Sequence, residues 1–274
     1  MKKLIIVSSI LSLFACGEGE KKEELNTSIT LKPYPEVRKD SISDDYFGTI
    51  VNDPYRWLED DRSEETADWV KAQNEVTFDY LSQIPYRDQL KNRLTELWNY
   101  EKASTPFNKG KYYFYYKNDG IQNQSVLYYR EGLEGEEKVL LNPNEWSEDG
   151  TAAMNGLSFS KDAEYMAFGV SKAGSDWIEI QVMNMDKMEM TADTVKWVKF
   201  SGISWYKDGF YYSSYDAPKE GSEFSNKNEF HKVYYHKLGT PQSTDQLIFE
   251  DKVNPERNFY AGVNEAQTLL IISG

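Results

Sequence analysis

The chain has 274 residues, with 31 Lys and Arg against 45 Asp and Glu and a formal net charge of −14. Apolar residues make up 39%, enough for a hydrophobic core, which excludes wholesale disorder. The acidic balance argues against a nucleic-acid partner, because phosphate binding needs clustered Lys and Arg.

Lys2 and Lys3 precede an apolar run from Leu4 to Phe14. That run is too short for a stable membrane anchor, which takes about 20 apolar residues, and has the form of a signal-peptide core. It leads into Leu13-Phe14-Ala15-Cys16-Gly17, which resembles a bacterial lipoprotein cleavage box with Cys16 as the lipidated residue. A plain secretory signal with a chance cysteine is the alternative. Cys16 is the sole cysteine, so no intrachain disulfide and no Cys-based metal site can form. Residues 1–16 are therefore expected to be a lipoprotein-type signal and 17–32 a polar, acidic tether. The expected location is an exported, periplasmic or outer-membrane-anchored lipoprotein of a bacterium, touching the membrane only through the lipid.

Residues 33–105 predict a helical segment. Ser63 followed by Glu64 and Glu65 marks a helix start, with a capping hydroxyl and acids in the first turn. Trp69, Gln73, Val76 and Tyr80 then recur at helical spacing up to Pro85. A second helix is expected over about Tyr86 to Trp98, with Leu90, Leu94, Leu97 and Trp98 on one side. Both stripes predict ordinary core.

From residue 106 onward the period changes to that of strands. The 15% aromatic content, with 20 Tyr, suits pleated surfaces. Lys111–Tyr116 and Val126–Arg130 flank a turn at Asn118-Asp119-Gly120. Similar units start at Gly156, Gly202 and Gly262, separated by 46 and 60 residues. Such spacing, with several short strands per unit, is the mark of β-propeller blades. The fold class is thus mainly β: residues 106–274 form about three blades of an incomplete propeller, preceded by the helical segment. A closed propeller needs at least four blades, so the chain is expected to be the N-terminal part of a longer protein.

No G-x-S-x-G elbow, H-E-x-x-H motif, P-loop or G-x-G-x-x-G loop occurs after the tether. The only histidines, His231 and His236, stand five apart on an expected strand and would face opposite sides, as surface or inter-strand residues without function. No acid pairs convincingly with a base. The chain offers no catalytic constellation, no metal site and no cofactor site of its own.

Asp53-Pro54-Tyr55-Arg56-Trp57-Leu58-Glu59-Asp60 resembles the N-terminal signature of the prolyl oligopeptidase family of serine peptidases. The likeness continues in order through Ala72-Gln73-Asn74, Ile84-Pro85-Tyr86-Arg87, Glu96–Tyr100, Asn118–Tyr128, Gly174-Ser175-Asp176-Trp177, Val198–Ser201 and Tyr234–Thr240. It covers about residues 33–274. The resemblance implies a seven-bladed propeller joined to an α/β-hydrolase domain, which supplies a Ser–Asp–His triad and cleaves short peptides after proline. It implies that the propeller screens substrates, and that residues of about 27–100 wrap onto the hydrolase domain. All triad residues would lie in that C-terminal domain, which is the implied partner along with short proline-containing peptides. No catalytic residue is therefore carried over. By motif position, Phe200 and Tyr260 are the candidate substrate contacts, with plain blade packing as the alternative for each. Arg56 is expected to pair with a carboxylate, or alternatively to meet substrate. A non-catalytic binding lipoprotein and an oligopeptidase of different specificity remain the other functional readings.

Overall fold

The computed structural model of the chain describes residues 29–219, 221–223 and 226–274. The expected signal peptide, most of the tether, and Cys16 lie outside the described residues.

The N-terminal segment is more than helical. Strands β1 (Ser43–Tyr46) and β2 (Thr49–Asn52) form an antiparallel hairpin, followed by a short 3-10 turn over Arg56–Glu59. Arg56 in that turn pairs with Asp44 of β1 and with Asp53 at 2.6 Å, so it ties hairpin to turn. These two carboxylates hold the Arg56 guanidinium above its ordinary range. Helix α1 (Glu64–Ser82) starts where its sequence predicts: the Ser63 hydroxyl accepts a hydrogen bond from the Thr66 amide at 3.1 Å. Ser63→Ala is expected to lower stability by about 1 kcal/mol, the ordinary worth of such a cap, and to speed exchange of the Thr66 amide. Unchanged exchange would show that the cap does not hold the helix end.

Helix α2 (Arg87–Trp98) corrects one expectation. None of its residues is buried, and Leu90, Leu94, Leu97 and Trp98 are all at least half exposed. On α1 only Thr66 and Val76 are buried. An amphipathic stripe reports that a face seeks a partner; it does not say that the partner is within the same stretch of chain.

Strands β3 (Lys102–Ala103) and β4 (Phe107–Lys109) both pair with β5 (Tyr112–Asn118), which continues through β6 (Val126–Glu131) to β7 (Lys138–Leu141). This is the first blade. The second blade runs β8 (Ala153–Phe159), β9 (Tyr165–Ser171), β10 (Ile178–Asn184) and β11 (Glu189–Val198), each antiparallel to the one before. A bulge interrupts β8 at Gly156, whose φ of 75° suits the glycine there. The third blade runs β12 (Ser204–Tyr206), β13 (Gly209–Ser214), β14 (Lys232–Lys237) and β15 (Gln246–Glu250). Strands β16 (Tyr260–Val263) and β17 (Leu270–Ser273) form a further hairpin.

Two cores explain why blades stack. Along β9, Met166, Phe168 and Val170 face the first blade, where they join Phe114, Leu127 and Leu141. Ala167 of the same strand faces the third blade, together with Ile180, Val195, Trp205 and Phe210. Alternation of side chains across a strand thus buries both faces of the second blade. A single bridge, Val198↔Ser214, also links the ladders of the second and third blades.

Of the two placements expected for the histidines, surface or inter-strand, the structure takes the second. Neither is on the surface: His231, just before β14, and His236, within it, are both 0% exposed.

Candidate functional site

Phe200 lies in the loop from β11 to β12, and Tyr260 opens β16; both are close to half exposed. Phe200 adopts a φ of 51°, the left-handed region that non-glycine residues seldom occupy. Its neighbours hold it there. The Ser213 amide of β13 donates to the Ser201 hydroxyl at 2.7 Å, and the Lys199 carbonyl meets His231 Nε2 at 3.0 Å. Lys199 is largely buried; its ammonium lies 5.4 Å from the Phe200 ring centre and 5.0 Å from that of Trp177, with Asp176 at 3.6 Å. Trp177 in turn meets Trp197 edge to face, and these two rings border a cavity of about 350 Å³ beside the turn between β9 and β10.

Tyr260 is anchored from the same side. The Phe259 amide donates to His231 Nδ1 at 2.9 Å, and the Phe259 carbonyl accepts from the Ser213 hydroxyl at 2.7 Å. His231 therefore touches the residue before each candidate, so the two motif positions, far apart in sequence, are tied to one side chain of the third blade. Residues Ser201, Gly202 and Ile203, just after Phe200, border a second cavity of about 210 Å³ between β8 and the loop that leads to β12. Tyr260 borders a third, of about 370 Å³, along β16 and β17.

His236 contradicts the expectation that no acid pairs with a base. Its Nδ1 lies 2.8 Å from Asp245 and its Nε2 3.3 Å from Asp193. Burial pulls its pKa down, but the hydrogen bonds and charges of the two aspartates outweigh this and raise it above the ordinary histidine value. Tyr212 donates to the second oxygen of Asp245 at 2.8 Å, and Thr191 to that of Asp193 at 2.8 Å. The group is structural. Both ring nitrogens face carboxylates, so no lone pair is left to take a proton from a nucleophile.

Sequence reasoning missed both histidine networks. Lys199 and Phe259 lie 32 and 28 residues from His231, and no local spacing announces such contacts.

The profile described as "Prolyl oligopeptidase, N-terminal beta-propeller domain" matches residues 34–274. The chain belongs to the prolyl oligopeptidase family. The prolyl endopeptidase of Elizabethkingia meningoseptica is 52% identical over 241 residues, 88% of this chain and 34% of that protein. That of Elizabethkingia miricola is 50% identical over the same length and shares. A solved prolyl endopeptidase structure superposes with a TM-score of 0.78 at 31% identity, covering 88% of this chain and 36% of the other. Prolyl oligopeptidase B from Galerina marginata, bound to a 35mer hydrolysis and macrocyclization substrate, gives 0.75 at 30% identity, covering 87% and 36%. The chain thus spans about a third of the length of these prolyl oligopeptidases and corresponds to their N-terminal propeller region.

Proposed function

We propose that this chain is the substrate-screening part of a serine endopeptidase that cleaves short peptides after proline, with Phe200 and Tyr260 facing the peptide. The observation that carries the reading is the 52% identity to the Elizabethkingia meningoseptica prolyl endopeptidase over 241 residues. In the proposed whole enzyme, a C-terminal α/β-hydrolase domain supplies serine, histidine and aspartate for acyl transfer. The exposed apolar face of α2 and the outer side of α1 are where that domain docks, which accounts for Leu90, Leu94, Leu97 and Trp98 standing in solvent here. Lys2, Lys3, the run Leu4–Phe14 and Cys16 support export and lipid anchoring in the bacterial envelope.

The test has two arms. Residues 17–274 alone should release no product from a chromogenic Gly-Pro substrate. Joined to the C-terminal two thirds of the Elizabethkingia meningoseptica enzyme, the chain should turn it over. In that joined enzyme, Phe200→Ala and Tyr260→Ala should each raise KM by about 5–10-fold with kcat nearly unchanged, as loss of an apolar contact does. Turnover by the lone chain, or a KM that neither substitution moves, would sink the reading.

A further inference from the structure

His231 is a buried titratable group for which the proposed reaction has no use. We propose that it is a positioning residue: a neutral imidazole, protonated on Nε2, that ties the backbone before Phe200 to the backbone before Tyr260. The inference rests on the reading that these two side chains face substrate.

The tautomer follows from the partners. An amide N–H can only donate, and that of Phe259 points at Nδ1 from 2.9 Å, so Nδ1 carries the lone pair. A carbonyl can only accept, and that of Lys199 lies 3.0 Å from Nε2, so Nε2 carries the proton. An imidazolium would set two N–H groups against each other at Phe259. Full burial works in the same direction and holds the His231 pKa below its ordinary value.

The ring is also fixed in rotation. Tyr215 lies against it with ring centres 4.5 Å apart, and the Tyr215 hydroxyl donates to Asn258 at 2.5 Å. With Ser213 holding the Phe259 carbonyl and the Ser201 hydroxyl, Ser201 after Phe200 and Phe259 before Tyr260 are both clamped to the third blade. Neutral imidazole presents one donor and one acceptor in diverging directions on a rigid ring, whereas a carboxamide holds both at one end. Its loss would free the Lys199 carbonyl and the Phe259 amide together, and the left-handed conformation of Phe200 would lose a brace.

The chain has only two histidines, so a long-range proton–nitrogen correlation on ¹⁵N-histidine-labelled protein at pH 7 resolves both. His231 should show the neutral pattern with the proton on Nε2, against the doubly protonated pattern of His236. This measurement needs no substitution. His231→Phe keeps a ring and removes both bonds; exchange of the Phe259 amide should then quicken at least tenfold. In the joined enzyme the same variant should raise KM about fivefold with kcat within twofold. Val233→Ala, a buried change two residues further on in β14, should lower thermal stability yet leave the Phe259 amide and KM in place. A proton on Nδ1, a doubly protonated His231, or Phe259 exchange within twofold of the parent would overturn the proposal. If Phe200→Ala and Tyr260→Ala leave KM unmoved, the substrate reading fails instead, and tautomer and exchange still decide whether the strut exists.

Discussion

A chain with leucine in place of His236 is expected to unfold at neutral pH with about 3–5 kcal/mol less free energy than the parent, because two buried carboxylates lose the cation between them. Asp193 and Asp245 are each nearly inaccessible to water, and each also accepts a neutral hydroxyl bond, so neither can turn outward for solvent. The dependence on pH has a definite sign. The His236 pKa is raised on folding, so its contribution is complete below the ordinary histidine value and is lost as pH rises through the folded value. His231 is shifted the other way, so its effect falls at and below the ordinary value and is spent by about pH 7. The carboxylates with lowered values, such as Asp162 and Asp208, are ionised in both states well below that pH. Urea melts between about pH 7 and pH 9 should therefore show the parent losing stability while His236→Leu stays flat. A parallel slope in both proteins, or a loss under about 1 kcal/mol, would refute the charged assignment.

Phe114→Ala should be as damaging by a different route, at about 3–5 kcal/mol for emptying a fully enclosed aromatic site. The ring is 0% exposed and stands on β5 of the first blade. Its centre lies 5.6 Å from that of Phe107 in the same blade and 4.9 Å from that of Phe159 on β8 of the second. Phe114 thus fastens one blade to the next through apolar contact. Equilibrium denaturation checks the size of the effect, with Phe114→Leu expected to recover more than half of it because less volume is removed. Equal losses for alanine and leucine would mean that ring geometry, not filled space, is what matters there.

Much of this architecture is legible in the residues, and the exceptions have physical causes. The hairpins at Asn118-Asp119-Gly120, Lys161-Asp162-Ala163 and Lys207-Asp208-Gly209 follow from turn chemistry between aromatic strands; Ala163 and Lys207 take the left-handed conformation beside an aspartate. The inner and middle strands of the second and third blades announce themselves in the same way, as do β5 and β6 of the first, whereas the short β3 and β4 do not. The outer strands β7, β11 and β15 do not. Each pairs along one edge with its own blade and mixes polar with apolar residues, as in Lys138–Leu141 and Gln246–Glu250. The β1–β2 hairpin is hidden for a similar reason, since nearly all of its residues are exposed. On α2 the apolar stripe is plain, but no pattern within a helix can say which body it meets. The candidate site divides likewise. Phe200 and Tyr260 come from motif position, whereas the histidine between their neighbours depends on closure of segments about 30 residues apart in sequence, which local spacing does not encode.

The backward-turned backbone at Phe200 limits how this corner can diverge. A side chain forked at its first carbon clashes with the main chain in that conformation, so drift toward valine, isoleucine or threonine requires the loop itself to be rebuilt. Asparagine, aspartate and histidine tolerate the bend far better. Descendants of this sequence can thereby trade an oily contact for a polar one without moving the main chain, while the stiff aliphatic replacements are closed to them.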